Sequence, residues 1–76
     1  MFINLYPPTF EEAKSGFEND IKSLNVKIDY LLYFNQFEKS VKLIVISSLL
    51  PSQLVSTVKF SFERHFALFF FEFEQC

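Results

Sequence analysis

The sequence is poor in several residues on which chemistry depends. Its 76 residues include one glycine, one cysteine, one histidine and no tryptophan. Each shortage excludes a class of function. A single Gly, Gly16, leaves no glycine-rich loop to cradle a phosphate. A single Cys, Cys76, leaves no intramolecular disulfide framework, and an odd thiol suits a reducing compartment. The expected location is therefore the cytoplasm. One His and one Cys are too few for a four-ligand zinc site. Two copies of the chain pooling His65 and Cys76 would reach four ligands, but nothing in the spacing supports that. No metal and no cofactor are expected.

Charge is sparse as well. Seven basic and nine acidic residues give a net charge of -2 and a pI of about 5.2. The basic residues are scattered, whereas phosphate-tracking proteins cluster them on one face. Nucleic acid is thus not an expected partner. The same balance lacks the basic amphipathic face of a membrane-surface helix. The longest uncharged run, Leu43 to Val58, is 16 residues and contains Pro51 and four serines. A spanning helix needs about 20 mostly apolar residues, so no transmembrane segment is expected. Met1 to Pro8 has no basic leader and no long apolar core, and does not read as a signal peptide.

What is abundant is phenylalanine. There are 12 Phe, half of the chain is hydrophobic, and five of the last eleven residues are Phe. That composition is too apolar for a disordered tail. The length allows one small domain. Residues 1–8 read as an extended arm, because Pro7 and Pro8 exclude a helix there. Residues 9–76 read as the domain. A core this small, with no disulfide as a staple, points to a partner chain as the remaining source of stability.

The clearest local signal is Thr9-Phe10-Glu11-Glu12, a capping box that opens a helix. Phe10, Ala13, Phe17, Ile21 and Leu24 follow at steps of three and four, which is one helical stripe. Gly16 interrupts this helix and is either tolerated, at about 1 kcal/mol against Ala, or marks close approach of another backbone. After Asn25 the period changes. Val26 to Tyr30 alternates, Leu31 to Phe34 is solidly apolar, and Asn35 to Ser40 reads as a turn. Val41 to Ile46 is β-branched and reads as a strand. Ser47 to Gln53, with Pro51, is a loop. Val58 to Glu63 alternates and reads as a strand, Arg64 and His65 as a turn, and Phe66 to Phe73 as a last strand. The expected fold is α+β: an N-terminal amphipathic helix packed on a small antiparallel sheet of three to four strands.

A rival pattern runs through the same residues. Phe10, Phe17, Leu24 and Leu31, with Ile21 and Ile28, fit heptad spacing. Val55, Val58, Phe62, Phe66, Phe69 and Phe73 also fit helical steps. An all-α hairpin bent at Pro51, or a short coiled coil, accounts for both.

Candidate chemistry is thin. His65 is the one base suited to neutral pH, and Ser61 lies four residues before it. No nucleophile elbow surrounds that serine. In a strand the two would stand about 13 Å apart. Glu72 and Glu74 share a strand face beside Phe, where burial would raise a carboxyl pKa toward acid catalysis. Two acids on a strand more often form a solvated edge that discourages aggregation. No catalytic residue is expected.

The Phe-rich end remains. If it forms one strand, Phe69, Phe71 and Phe73 point one way and Phe66, Leu68 and Phe70 the other. One helix covers one sheet face, and the second set then needs the arm, a ligand or another chain. The expected function is a non-enzymatic interaction module. It would self-associate or bind a protein partner through Phe60, Phe62, Phe66, Phe69, Phe70, Phe71 and Phe73. The alternative is a small hydrophobic-ligand or lipid carrier, with the Phe cluster lining a pocket and Tyr30, Tyr33 and His65 as its polar groups.

Overall fold

The computed structural model describes residues 9–47 and 50–75. The arm expected at 1–8 and the thiol of Cys76 lie outside them. The order of elements is α1 (Phe10–Ser23), β1 (Tyr30–Asn35), β2 (Ser40–Val45), α2 (Ser52–His65) and β3 (Phe70–Gln75). The fold is α+β, as expected.

Helix α1 begins where the capping box puts it. The Thr9 hydroxyl accepts from the Glu12 backbone N–H at 3.2 Å. Its buried residues, Ala13, Phe17 and Ile21, are the middle of the expected stripe. Asn25 ends it in a left-handed conformation, φ 54°, that Asn tolerates better than most residues. The alternation from Val26 therefore opens in irregular chain, and β1 starts at Tyr30. Asn35 then turns the chain by accepting from the backbone N–H groups of Phe37 and Glu38. Lys39 closes the turn at φ 50°, and β2 returns antiparallel to β1.

Two expectations fail after β2. Val58 to Glu63 is not a strand but the middle of helix α2, which also absorbs Arg64 and His65. The last strand is Phe70–Gln75 rather than Phe66 to Phe73. Helix α2 is a crossover between β2 and β3, and such a connection returns the chain in its original direction. So β3 runs parallel to β2, and the three-stranded sheet, in order β1-β2-β3, is mixed rather than antiparallel.

Both helices lie on one face of the sheet. Register puts Tyr30, Leu32 and Phe34 beside Val45, Leu43 and Val41, and these beside Gln75, Phe73 and Phe71. Phe17 of α1 meets Tyr30 edge-on at 5.4 Å, and Phe62 of α2 meets Phe71 at 5.8 Å. The core between the layers holds Phe17, Val41, Leu43, Val45, Val58, Phe62 and Phe66, all nearly inaccessible. The opposite face carries Leu31, Tyr33, Asn35, Ser40, Lys42, Ile44, Phe70, Glu72 and Glu74. Among the described residues no element covers that face. None of the described helices is long and apolar enough to cross a membrane.

Candidate interaction surface

The seven Phe singled out by the sequence are divided by the change from helix to strand. Phe62 points inward from α2, and Phe66 follows as its C-cap, where its N–H bonds the Phe62 carbonyl at 3.0 Å. Both are fully buried, and each touches Phe17 edge-on. They hold the core and present nothing to a partner. Phe60 sits two residues before Phe62, about 200° around the helix, and is 66% exposed. In a strand those two rings would share a face; in α2 they are separated.

The turn Ala67 to Phe69 brings the chain back to the sheet. Phe69 N–H bonds the Phe66 carbonyl, and Phe70 N–H bonds the Lys39 carbonyl, each at 3.0 Å. Phe70 then stands on the open face, 77% exposed. Phe71 and Phe73 lie on the helix side at the sheet edge, where cover is partial. The Lys59 ammonium reaches over the Phe73 ring, 5.7 Å from its centre. On the open face Lys42 pairs with Glu74 at 3.3 Å, so the acid pair of β3 is solvated and partly matched.

Phe69 contributes to a cavity whose other walls differ from those expected of a Phe-lined pocket. The cavity is open, about 400 Å³, and is lined by Thr9, Phe10, Phe34, Gln36, Lys39, Leu68 and Phe69. Phe10 stacks on Phe34 with ring centres 4.3 Å apart and planes 6° from parallel. Phe69 meets Phe34 edge-on at 5.9 Å. Leu68 is 66% exposed at the rim. Three distant parts of the chain build this wall, which no local pattern announces. Tyr30, Tyr33 and His65 are not among its lining residues.

His65 has a different task. Asp20 of α1 accepts from the Ser61 hydroxyl at 2.7 Å and from Arg64, and the His65 Nε2 lies 2.9 Å from the same oxygen. An ionised carboxylate only accepts, so Nε2–H is the donor. These bonds tie α2 to α1. The Ser61 proton goes to Asp20 rather than to the imidazole, which is not the arrangement of a base activating a nucleophile. The His65 ring also explains Gly16. A Cβ there would sit 2.5 Å from its Cε1. Gly16 therefore marks a close approach, of a side chain rather than a backbone.

The Ser61 hydrogen bond, then that of His65, hold the Asp20 carboxyl down at about 2, against 3.8 for the free group, with Arg64 adding to both. A carboxyl depressed in the folded state stabilises above its unfolded value, and the gain disappears as pH falls from 3.8 toward 2. Urea melts should show it. The stability difference between wild type and Asp20→Asn should shrink as pH falls between 4 and 2. A difference unchanged across that window would mean that Asp20 is not held by these donors.

Among the described residues no cluster of three or more His, Cys, Asp or Glu could hold a metal ion. Compared with known proteins, the chain matches no family, no curated protein and no solved structure.

Proposed function

We propose that the chain is a non-enzymatic interaction module that binds a protein partner through its Phe-rich C-terminal surface. The observation that carries this reading is the open aromatic cavity between the start of α1, the β1–β2 hairpin and the turn before β3. Leu68 stands exposed at its rim, and of the residues that follow, Phe70 on the open face and Phe71 on the helix side are also exposed. Hot spots of protein interfaces are apolar anchors seated in such pockets, surrounded by contacts that exclude water. Phe and Tyr suit this because they bring large area with few rotatable bonds. Phe69, Phe70, Phe71 and Phe73 are the proposed contacts, with Phe60 outlying on α2. Phe62 and Phe66 support them from the core.

Peptide display against the immobilised protein tests the reading. Selected peptides should carry an aromatic or aliphatic anchor, and their affinity should fall tenfold or more on Leu68→Ser with Phe70→Ser. Both positions are exposed, so circular dichroism should be unchanged. Peptides that bind wild type and variant alike would overturn it.

The same cavity favours a second reading. Its volume falls in the range of small-molecule sites, about 300–1,000 Å³. Thr9, Gln36 and Lys39 would supply the polar contacts there. Native mass spectrometry of the purified protein separates the two: a bound small molecule retained by wild type and lost by Phe69→Ala would favour the carrier.

A further inference from the structure

The two edges of the sheet are unequally guarded, and the difference points to a second copy of this chain. Ile46 N–H donates to the Asp29 carbonyl at 2.9 Å, which makes 29 and 46 a hydrogen-bonded pair. Alternation along an antiparallel ladder then turns the backbone groups of Leu31, Tyr33 and Asn35 toward β2. Those of Tyr30, Leu32 and Phe34 point outward, where no strand lies among the described residues. Natural edges are usually blunted by charge, proline or a bulge. The sequence of β1, YLLYFN, contains no charge, no proline and no glycine. The other edge, β3, reads FFEFEQ.

We propose that two copies pair β1 to β1, antiparallel about a two-fold axis at Leu32, into one continuous six-stranded sheet. In that register Leu32 faces the partner's Leu32, and Tyr30 faces the partner's Phe34. These are the residues with outward backbone groups, so each pair exchanges hydrogen bonds across the seam. Leu31 faces the partner's Tyr33 on the open face. Theirs is a non-hydrogen-bonded pair, where side chains come closest and an aliphatic–aromatic contact is favourable. The axis is perpendicular to the sheet, so the helices of both copies stay on one side. The interface is isologous and closes at two copies.

The same operation on β3 is unfavourable. Overlap along most of that strand centres on Phe73 or Glu72. The first places Glu72 opposite the partner's Glu74, and the second places Glu72 opposite itself. Like charges directly opposite destabilise a pair of strands. Self-pairing therefore selects β1. A seam of six residues a side is small, which places the association at the weak, concentration-dependent end of specific interfaces.

The test is solution mass by light scattering over a hundredfold concentration range extending to millimolar. Wild type should rise from 9.0 kDa toward twice that value. Leu31→Glu with Tyr33→Glu should stay at the monomer mass, because the new charges oppose each other across the seam. Both positions are exposed, and Tyr33 is paired in register with Lys42, so the monomer should keep its circular dichroism. Leu31→Lys with Tyr33→Glu should dimerise again, because Lys now faces Glu. A wild type monomeric throughout, a Glu/Glu variant that dimerises like wild type, or a Lys/Glu variant that stays monomeric would each overturn the seam. Phe70→Ser separates this inference from the C-terminal surface. It should leave the dimer intact, and loss of the dimer there but not in Glu/Glu would assign self-association to β3.

Discussion

Phe17→Ala should cost about 3–5 kcal/mol, the usual loss for a buried Phe that leaves a cavity behind. Phe17 is inaccessible and meets three rings: Tyr30 of β1 at 5.4 Å, Phe62 at 6.1 Å and Phe66 at 6.3 Å. One side chain thus joins α1 to the sheet and to the C-terminal end of α2. The three edge-on contacts come from both β1 and the end of α2, so no single neighbour moves in to fill the hole. Small domains have total stabilities of about 5–15 kcal/mol, and this one has no disulfide. The variant should lose a large part of that stability, seen by circular dichroism as a urea midpoint far below that of wild type. Phe60→Ala, on the outward side of α2, should change stability by less than about 0.5 kcal/mol. Equal losses at both positions would contradict the division of rings between core and surface.

Gly16→Ala should destabilise, although a mid-helix Gly replaced by Ala usually gains about 1 kcal/mol. The new methyl would lie 2.5 Å from Cε1 and 2.6 Å from Nδ1 of His65. That ring is three-quarters buried and bonded to Asp20, so moving it breaks the bond as well as the packing. Overpacking of this kind costs about 1–3 kcal/mol, which exceeds the helix gain. The sign should reverse in a His65→Ala background. There the methyl fills vacated space, and Gly16→Ala should stabilise by about 1 kcal/mol. A double-mutant cycle from urea melts isolates the coupling. Additive effects would mean that the ring does not lie on Gly16.

Much of this fold was legible in local pattern. The capping box and the stripe from Phe10 to Leu24 located α1, because both signals depend only on near neighbours. The β-branched run located β2, and its alternation, Val41, Leu43 and Val45 inward, is the cleanest in the sheet. The error at α2 has a definite cause. Lys59 and Ser61 between Val58, Phe60 and Phe62 satisfy a period of two, while Val55, Val58, Phe62 and Phe66 satisfy steps of three and four. Both patterns share Val58 and Phe62, so a short window does not separate them. The helix wins because it buries Val58, Phe62 and Phe66 together against α1 and the sheet, and leaves Lys59 and Phe60 in water. Once that segment is a helix, the crossover fixes β3 as parallel.

The surface was less legible than the fold. Phe62 and Phe66 look like Phe70 in composition, but their burial is set by which segment turns helical. The cavity gathers residues from the start of α1, the β1–β2 hairpin and the turn before β3, so its wall exists only after folding. The tie through Asp20 spans 41 residues to Ser61, and only Gly16 hinted that something lies close to α1 there.

The most direct test of the account is the solvent access of individual Phe rings. Fluorine-labelled phenylalanine, assigned by single substitutions, can be followed by NMR with a soluble paramagnetic agent. Phe62 and Phe66 should keep sharp, shifted signals, while Phe60 and Phe70 broaden away. A strand through Val58 to Glu63 would put Phe60 and Phe62 on one face. Their bleaching together, or surviving together, would contradict both the helix and the surface built on it.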